Sequence, residues 1–173
     1  MGLDNALPHP ANLAERRFAD STAFLESRDT NFAKMLHVVA QEVEGLQRML
    51  LTSSAVHGLA NTTSDIDTIC VIDGKDLTAR TATQFFDGGN HFETIFFTTS
   101  EVDRELERLR QAASGSAAQT YAAYQAWDKN GPMKRKYLER LVNGVTADGL
   151  SPYLAHLDAL GPLWRAASLG QAI

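Results

Sequence analysis

The sequence predicts an α/β (α+β) fold: a mixed sheet flanked by helices, with a C-terminal helical extension. Two observations support this prediction. Apolar residues at helical spacings of three and four alternate with short runs rich in β-branched and aromatic residues, which favour strands. After Ser114-Gly115-Ser116 the pattern favours helices only. This order of elements is typical of a layered core that carries an added helical segment.

The expected elements follow the chain in order. The apolar run after Asp67 predicts a strand that ends at the turn Asp73-Gly74. Ser100 followed by Asp103 resembles a capping box, and Gly161-Pro162 is expected to end the last helix. The full set is helices over 13–25, 31–50, 77–86, 101–113, 117–128, 133–142 and 151–160, and strands over 50–52, 68–72 and 91–98.

The domain organisation follows from the same patterns. The chain has 173 residues, which is enough for one domain with a sizeable core. We expect an N-terminal arm and short helix over 1–30, a core over 31–113 and a helical extension over 114–173.

Composition excludes several classes of function. A net charge of −5 argues against electrostatic binding to long nucleic acid. The single cysteine, Cys70, lies in an apolar run, so a buried core residue is expected rather than a disulfide or zinc framework. No apolar run approaches the length of a membrane span, and the N-terminus lacks the pattern of a signal peptide. We therefore expect a cytoplasmic protein without a membrane partner.

The pair Asp65 and Asp67 is the strongest chemical signal. Side chains alternate along a strand, so both carboxylates point to one face. Two such carboxylates repel each other unless a cation or a proton lies between them. Hard oxygen ligands of this kind suit Mg²⁺, with Mn²⁺ as an alternative. The competing interpretation is a turn followed by an exposed strand edge.

The segment SSAVHGLANTTSDID, residues 53–67, resembles the signature of the DNA polymerase beta-like nucleotidyltransferase superfamily. The similarity is to the minimal and antibiotic nucleotidyltransferases, whose pattern is Gly-Ser, one residue, Ala-Arg-Gly, a short loop and Ser-Asp-hydrophobic-Asp. Ser54 falls on the serine of the pattern, Gly58 on its second glycine, and Ser64 to Asp67 on its acidic end. The similarity extends over about Leu51 to Thr98.

The resemblance implies a small nucleotidyltransferase core and assigns roles to particular residues. Asp65 and Asp67 are expected to be catalytic metal ligands, and Glu93 is the candidate for the third carboxylate on a later strand. Glu93 is also the candidate general base for the acceptor hydroxyl. The residues expected to bind the nucleotide are Ser53, Ser54, His57, Gly58, Ser64 and, from a basic cluster in the C-terminal extension, Lys134.

The expected activity is metal-dependent transfer of a nucleoside monophosphate, with AMP favoured, from a nucleoside triphosphate such as ATP. The acceptor is a hydroxyl group of a small molecule or a protein, the product is pyrophosphate, and a homodimer is a further expectation. Two residues depart from the pattern: Ser53 replaces its first glycine and His57 replaces its arginine. They motivate the alternative, a catalytically degenerate protein of the same fold that binds a nucleotide or a partner.

Overall fold

The computed structural model describes residues 10–74, 82–127, 129 and 133–170. The helices of this part of the chain are α1 (Pro10–Glu26), α2 (Phe32–Glu42), α3 (Thr99–Ser114), α4 (Ala117–Trp127), α5 (Arg135–Asn143) and α6 (Leu157–Gly170). The strands are β1 (Leu46–Leu51), β2 (Ile66–Ile72), β3 (Ala82–Asp87), β4 (Asn90–Thr98), β5 (Val145–Thr146) and β6 (Gly149–Leu150). Short 3₁₀ helices lie at Ser53–Ala55 and Leu154–His156.

The described strands form one mixed sheet in the order β3-β4-β2-β1-β5-β6. Strands β2 and β4 are parallel, and every other neighbouring pair is antiparallel. The predicted fold class, a mixed sheet flanked by helices, is confirmed. None of the described helices combines the length and the hydrophobicity that crossing a membrane would require.

Helices cover both faces of the sheet. Ile66 and Cys70 of β2 belong to a core cluster with residues of α1 and α2, whereas Ile69 and Val71 belong to a second cluster with residues of α3, α5 and α6. We call these two sides the α1–α2 face and the α5 face. A strand buried on both faces needs a continuous apolar run, which is what β2 has from residue 69 to residue 72. Cys70 is a free core thiol as expected, and burial raises its pKa to about 12.

The predicted helix over 31–50 is wrong in its second half. Helix α2 ends at Glu42, and β1 begins at Leu46. Gly45 separates them with φ +72°, a left-handed conformation that favours glycine. A β-carbon at Gly45 would also lie 2.7 Å from the carbonyl oxygen of Asp73. The last part of the apolar stripe therefore belongs to a strand that pairs with β2.

The predicted helix over 77–86 is wrong wherever the structure describes it. Residues 82–87 form β3, which pairs with β4, and residues 75–81 lie outside the described part. Gly88 and Gly89 have φ +54° and +81°, so they form the two-residue turn that favours a hairpin. Phe85 stacks on Phe92 across the hairpin with ring centroids 4.8 Å apart. This pairing overrides the helical spacing of the apolar residues.

The C-terminal region departs from an all-helical extension because β5 pairs with β1 and β6 pairs with β5. The expected end of a helix at Gly161-Pro162 is wrong, since α6 continues to Gly170. The expected helix start at Ser151 is also wrong, because this buried serine donates its hydroxyl to the Leu141 carbonyl instead. The capping box before α3 uses Thr98 and Glu101 rather than the predicted pair. The division into three regions stays a prediction.

The buried hydroxyls of Thr68 and Thr94 connect β2 to β4 at a distance of 2.8 Å. We expect Thr68→Val or Thr94→Val alone to lower the free energy of unfolding by about 1–3 kcal/mol, because the remaining hydroxyl loses its partner inside the core. The double variant should cost less than the sum of the single changes, since neither hydroxyl then remains. Chemical denaturation of all four proteins tests this cycle, and additive losses would contradict it.

Candidate functional site

Three carboxylates lie near the first residues of β2 and β4. Asp67 and Glu93 are register partners in this parallel pair, and Asp65 comes two residues before Asp67. Because strand side chains alternate, all three belong to the α5 face. The side chain of Asp67 is 17% exposed and that of Asp65 is 51% exposed. The sheet therefore places the three predicted catalytic residues side by side at one edge of the α5 face.

Two of these carboxylates have a basic partner. Oδ1 of Asp65 lies 2.8 Å from Nδ1 of His91, and Oδ1 of Asp67 lies 3.6 Å from Nη1 of Arg140. With these side-chain positions, no three His, Cys, Asp or Glu residues of the described chain are grouped around one point that would hold a metal ion. The oxygen donors suit a hard cation such as Mg²⁺. A metal ion bound to Asp65 and Asp67 would compete with His91 and Arg140 for these carboxylates.

The turn after β1 begins with Ser53, which has φ +61°. This left-handed conformation favours glycine, the residue found there in the resembled pattern. The Ser53 hydroxyl is buried and has no hydrogen-bond partner among the described residues. Ser54 follows, and its carbonyl accepts the N–H groups of His57 at 3.2 Å and Leu59 at 2.9 Å. The turn contains a three-residue 3₁₀ helix, Ser53–Ala55.

Thr52 joins this turn to the acidic strand. Its backbone N–H and its hydroxyl both donate to the Asp67 carbonyl, at 2.9 Å and 3.2 Å. Thr52 is fully buried, so these bonds are shielded from water. The turn that starts at Ser53 is thereby held beside the backbone of Asp67. Sequence reasoning missed Thr52, and no local pattern distinguishes it.

Gly58 and His57 close the turn against α1. Gly58 has φ +65°, and a β-carbon there would lie 2.8 Å from Oδ2 of Asp20. Desolvation lowers the pKa of His57, and the positive charge of Arg17 lowers it further. His57 is therefore neutral near pH 7, whereas an arginine at this position would be charged.

Arg28 connects the loop before Asp65 to the start of β4. Its Nη1 donates to the carbonyls of Thr62 and Ser64, at 2.6 Å and 2.9 Å, and its Nε donates to Oδ1 of Asn90 at 2.8 Å. Asn90 returns a bond from Nδ2 to the Arg28 carbonyl at 3.1 Å. Ser64, a predicted nucleotide ligand, accepts the Asn61 N–H with its hydroxyl at 3.0 Å and so shapes this loop. Arg28 was missed because only the folded chain shows what it reaches.

The predicted basic ligand from the C-terminal region, Lys134, is the N-cap residue of α5. The α5 residue that contacts Asp67 is Arg140. A signal for Arg140 was present in the sequence, because Lys136 and Arg140 are four residues apart and share one face of the helix. The other basic partner, His91, lies near the start of β4, one residue before Phe92, which pairs with Ile66.

The model of one protein family matches residues 8–173, which is nearly the whole chain. The chain belongs to the DUF6001 family. DUF6001 is a family of unknown function, so membership does not assign a reaction. A comparison with curated proteins finds no match for the chain. The function of this DUF6001 protein must therefore be argued from the geometry above.

The left-handed backbone of Ser53 leads to a prediction about stability. We expect Ser53→Gly to raise the free energy of unfolding by about 1 kcal/mol. The change relieves the left-handed strain and removes an unpartnered hydroxyl, which together outweigh the added flexibility of glycine. The matched control Ser54→Gly should lower the free energy of unfolding by about 0.5–1 kcal/mol, because only the flexibility changes. Chemical denaturation measures both, and an equal loss in the two variants would refute the strain argument.

The contacts of Arg28 lead to a second prediction about stability. Arg28→Met should lower the free energy of unfolding by about 1–3 kcal/mol, because three acceptors lose a charged donor. Hydrogen exchange at the amide of Ser64 should accelerate as the loop loosens. The control is Arg110→Met, which removes an exposed pair with Glu107 and should change stability by less than about 1 kcal/mol. Unchanged exchange at Ser64 would show that the loop does not depend on Arg28.

Proposed function

We propose that this DUF6001 protein is a metal-dependent nucleotidyltransferase. It moves a nucleoside monophosphate, with AMP favoured, from a nucleoside triphosphate to a hydroxyl group and releases pyrophosphate. The observation that supports this most is the parallel register of β2 and β4, which sets Glu93 beside Asp67 on the face that Asp65 shares. The serine turn, held to Asp67 by Thr52, adds support.

The chemistry divides among few groups. Asp65, Asp67 and Glu93 would hold Mg²⁺ or Mn²⁺, which neutralises phosphate charge and stabilises the attacking and leaving oxygens. Glu93 accepts the proton of the acceptor hydroxyl. The acceptor oxygen then bonds to the α-phosphorus. The bond from this phosphorus to the bridging oxygen breaks, and pyrophosphate leaves with the electron pair.

The basic partners of the acids are compatible with this proposal. The pair of Asp65 with His91 is solvent-exposed, and contacts of that kind contribute about 0–1 kcal/mol. Arg140 lies at 3.6 Å from Asp67, too far for a short hydrogen bond. Binding of a divalent cation by two charged carboxylates would compensate for the loss of their contacts with His91 and Arg140.

The proposal is tested by titrating ATP into the protein with and without Mg²⁺. We expect Asp65→Asn and Asp67→Asn to weaken binding in Mg²⁺ by about tenfold or more, because each substitution removes a charged metal ligand. Glu93→Gln should slow pyrophosphate release by about 10²–10⁴-fold, the usual contribution of a general base. Asp73→Asn is the control: this exposed aspartate lies just past the other end of β2. Unchanged pyrophosphate release from Asp67→Asn would refute the mechanism.

The second candidate is a catalytically degenerate module that binds a nucleotide or a partner protein. The observation that favours it is that Asp65 and Asp67 each already have a basic neighbour, while Ser53 carries a side chain at the glycine position. This module would bind ATP equally well without Mg²⁺ and would tolerate both aspartate substitutions. The same titration therefore separates the two candidates.

We also propose that the acceptor is a small molecule or a protein, that the protein forms a homodimer and that it is cytoplasmic. An acceptor screen that reads pyrophosphate release addresses the first of these.

A further inference from the structure

Phe86 of β3 is an aromatic residue that is 78% exposed beside the candidate site. One face of its ring stacks on the imidazole of His91, with ring centroids 4.7 Å apart and 24° between the ring planes. Nδ1 of His91 in turn lies 2.8 Å from Oδ1 of Asp65. The Phe86 ring is therefore two contacts away from an acid of the proposed site, and its high exposure leaves the other ring face open to a ligand.

The register of the hairpin sets Phe86 on the same face of the sheet as the acids. Phe86 pairs with His91 and Gln84 pairs with Glu93, so both β3 side chains point to the α5 face. Gln84 is exposed like Phe86. An exposed ring and an exposed amide thus extend the row of carboxylates outward from β2 and β4 onto β3.

The strand order indicates which part of the substrates would meet Phe86. In the order β3-β4-β2-β1, the strands β4 and β3 lie on one side of β2, whereas β1 and the serine turn after it lie on the other side. In transfer to a hydroxyl, the attacking and leaving oxygens lie roughly in line on opposite sides of the phosphorus. The serine turn is the expected phosphate site, so the acceptor approaches from the side of β4, where Glu93 and then Phe86 lie.

The charges near Phe86 disfavour an anionic acceptor. Asp65 and Glu93 share its face of the sheet, and Asp87 follows it in the chain. A carboxylate or phosphate group on the acceptor would be repelled by these acids. The amide of Gln84 can donate a hydrogen bond to an uncharged polar group or accept one from it.

We propose that Phe86 stacks on an aromatic ring of the acceptor and so selects uncharged small molecules whose hydroxyl group lies close to such a ring. Aromatic rings attract each other beyond the gain from buried area, which gives an open ring face a preference for aromatic over saturated groups. This inference rests on the proposed function, because it concerns the acceptor of that reaction. Binding of a ring to Phe86 can nevertheless be measured without any nucleotide.

The test compares 2-naphthalenemethanol with its saturated counterpart, decahydro-2-naphthalenemethanol, on the full chain. Saturation-transfer NMR without nucleotide should show binding of the aromatic alcohol in preference to the saturated one. Phe86→Leu keeps an apolar side chain but removes the aromatic face, and it should weaken binding of the aromatic alcohol by about threefold to tenfold. Phe86→Trp should retain the binding. The control Trp164→Leu removes a different exposed aromatic ring, on α6, and should leave the binding unchanged.

Pyrophosphate release with ATP and Mg²⁺ supplies the second readout. Phe86→Leu should lower the preference for the aromatic alcohol in kcat/KM by about threefold to tenfold, through the KM of the alcohol. The KM of ATP should stay the same, because the ring is assigned to the acceptor.

The inference is overturned if the two alcohols bind the unchanged protein equally or not at all, or if Phe86→Leu and Trp164→Leu bind alike. A rise in the KM of ATP alone would assign the ring to the nucleobase and would also overturn it. A lower melting temperature of Phe86→Leu with unchanged binding would leave the ring only a packing role against His91. The proposed function fails separately, when Asp67→Asn leaves Mg²⁺-dependent ATP binding intact while the aromatic alcohol still depends on Phe86.

Discussion

The arrangement of the candidate site depends on the register between the parallel strands β2 and β4. A shift by one residue would turn Glu93 to the α1–α2 face and leave Asp67 beside an apolar or uncharged residue. Burial fixes this register, because Phe92 must reach the core of the α1–α2 face while its neighbours point the other way. Thr68 and Thr94 add a hydrogen bond between their buried hydroxyls on the same face. Packing on the α1–α2 face thus positions the carboxylates on the α5 face.

The N-terminal helix and the turn after it reinforce that arrangement from outside the sheet. Arg28 binds the loop that leads into β2 and the residue that opens β4, so it holds the starts of both strands at once. Thr52 ties the end of β1 to the Asp67 carbonyl. Gly58 has φ +65° beside α1, where a β-carbon would lie 2.8 Å from Oδ2 of Asp20. Three strand ends and the end of α1 are therefore coupled through a few polar contacts at one edge of the sheet.

The sequence predicted correctly those elements whose structure depends on neighbouring residues. Apolar, β-branched and aromatic content predicted β2 and β4, and alternation predicted that the acidic pair shares one face. The missed elements depend on pairing between distant segments: β3 forms because the Gly88-Gly89 turn folds it onto β4, and β5 because β1 offers a free edge. The missed residues Arg28 and Arg140 are long side chains whose targets are far away in the sequence. The local pattern places Arg140 on a basic helix face, but it does not show which distant acid the side chain reaches.

The charges around the serine turn suggest what kind of ligand would complete this edge. On the α5 face, three neighbouring carboxylates have one permanently charged partner, Arg140, so the negative charge exceeds the positive. Beside α1, Nε of Arg17 is buried without an acceptor among the described residues, and the carboxylate of Asp20 lies against Gly58. The turn that begins at Ser53 lies between these regions and is bonded to Asp67 through Thr52. A divalent cation would balance the excess of negative charge on the α5 face. The substrate of the proposed reaction, a metal–triphosphate complex, would bring such a cation to these acids.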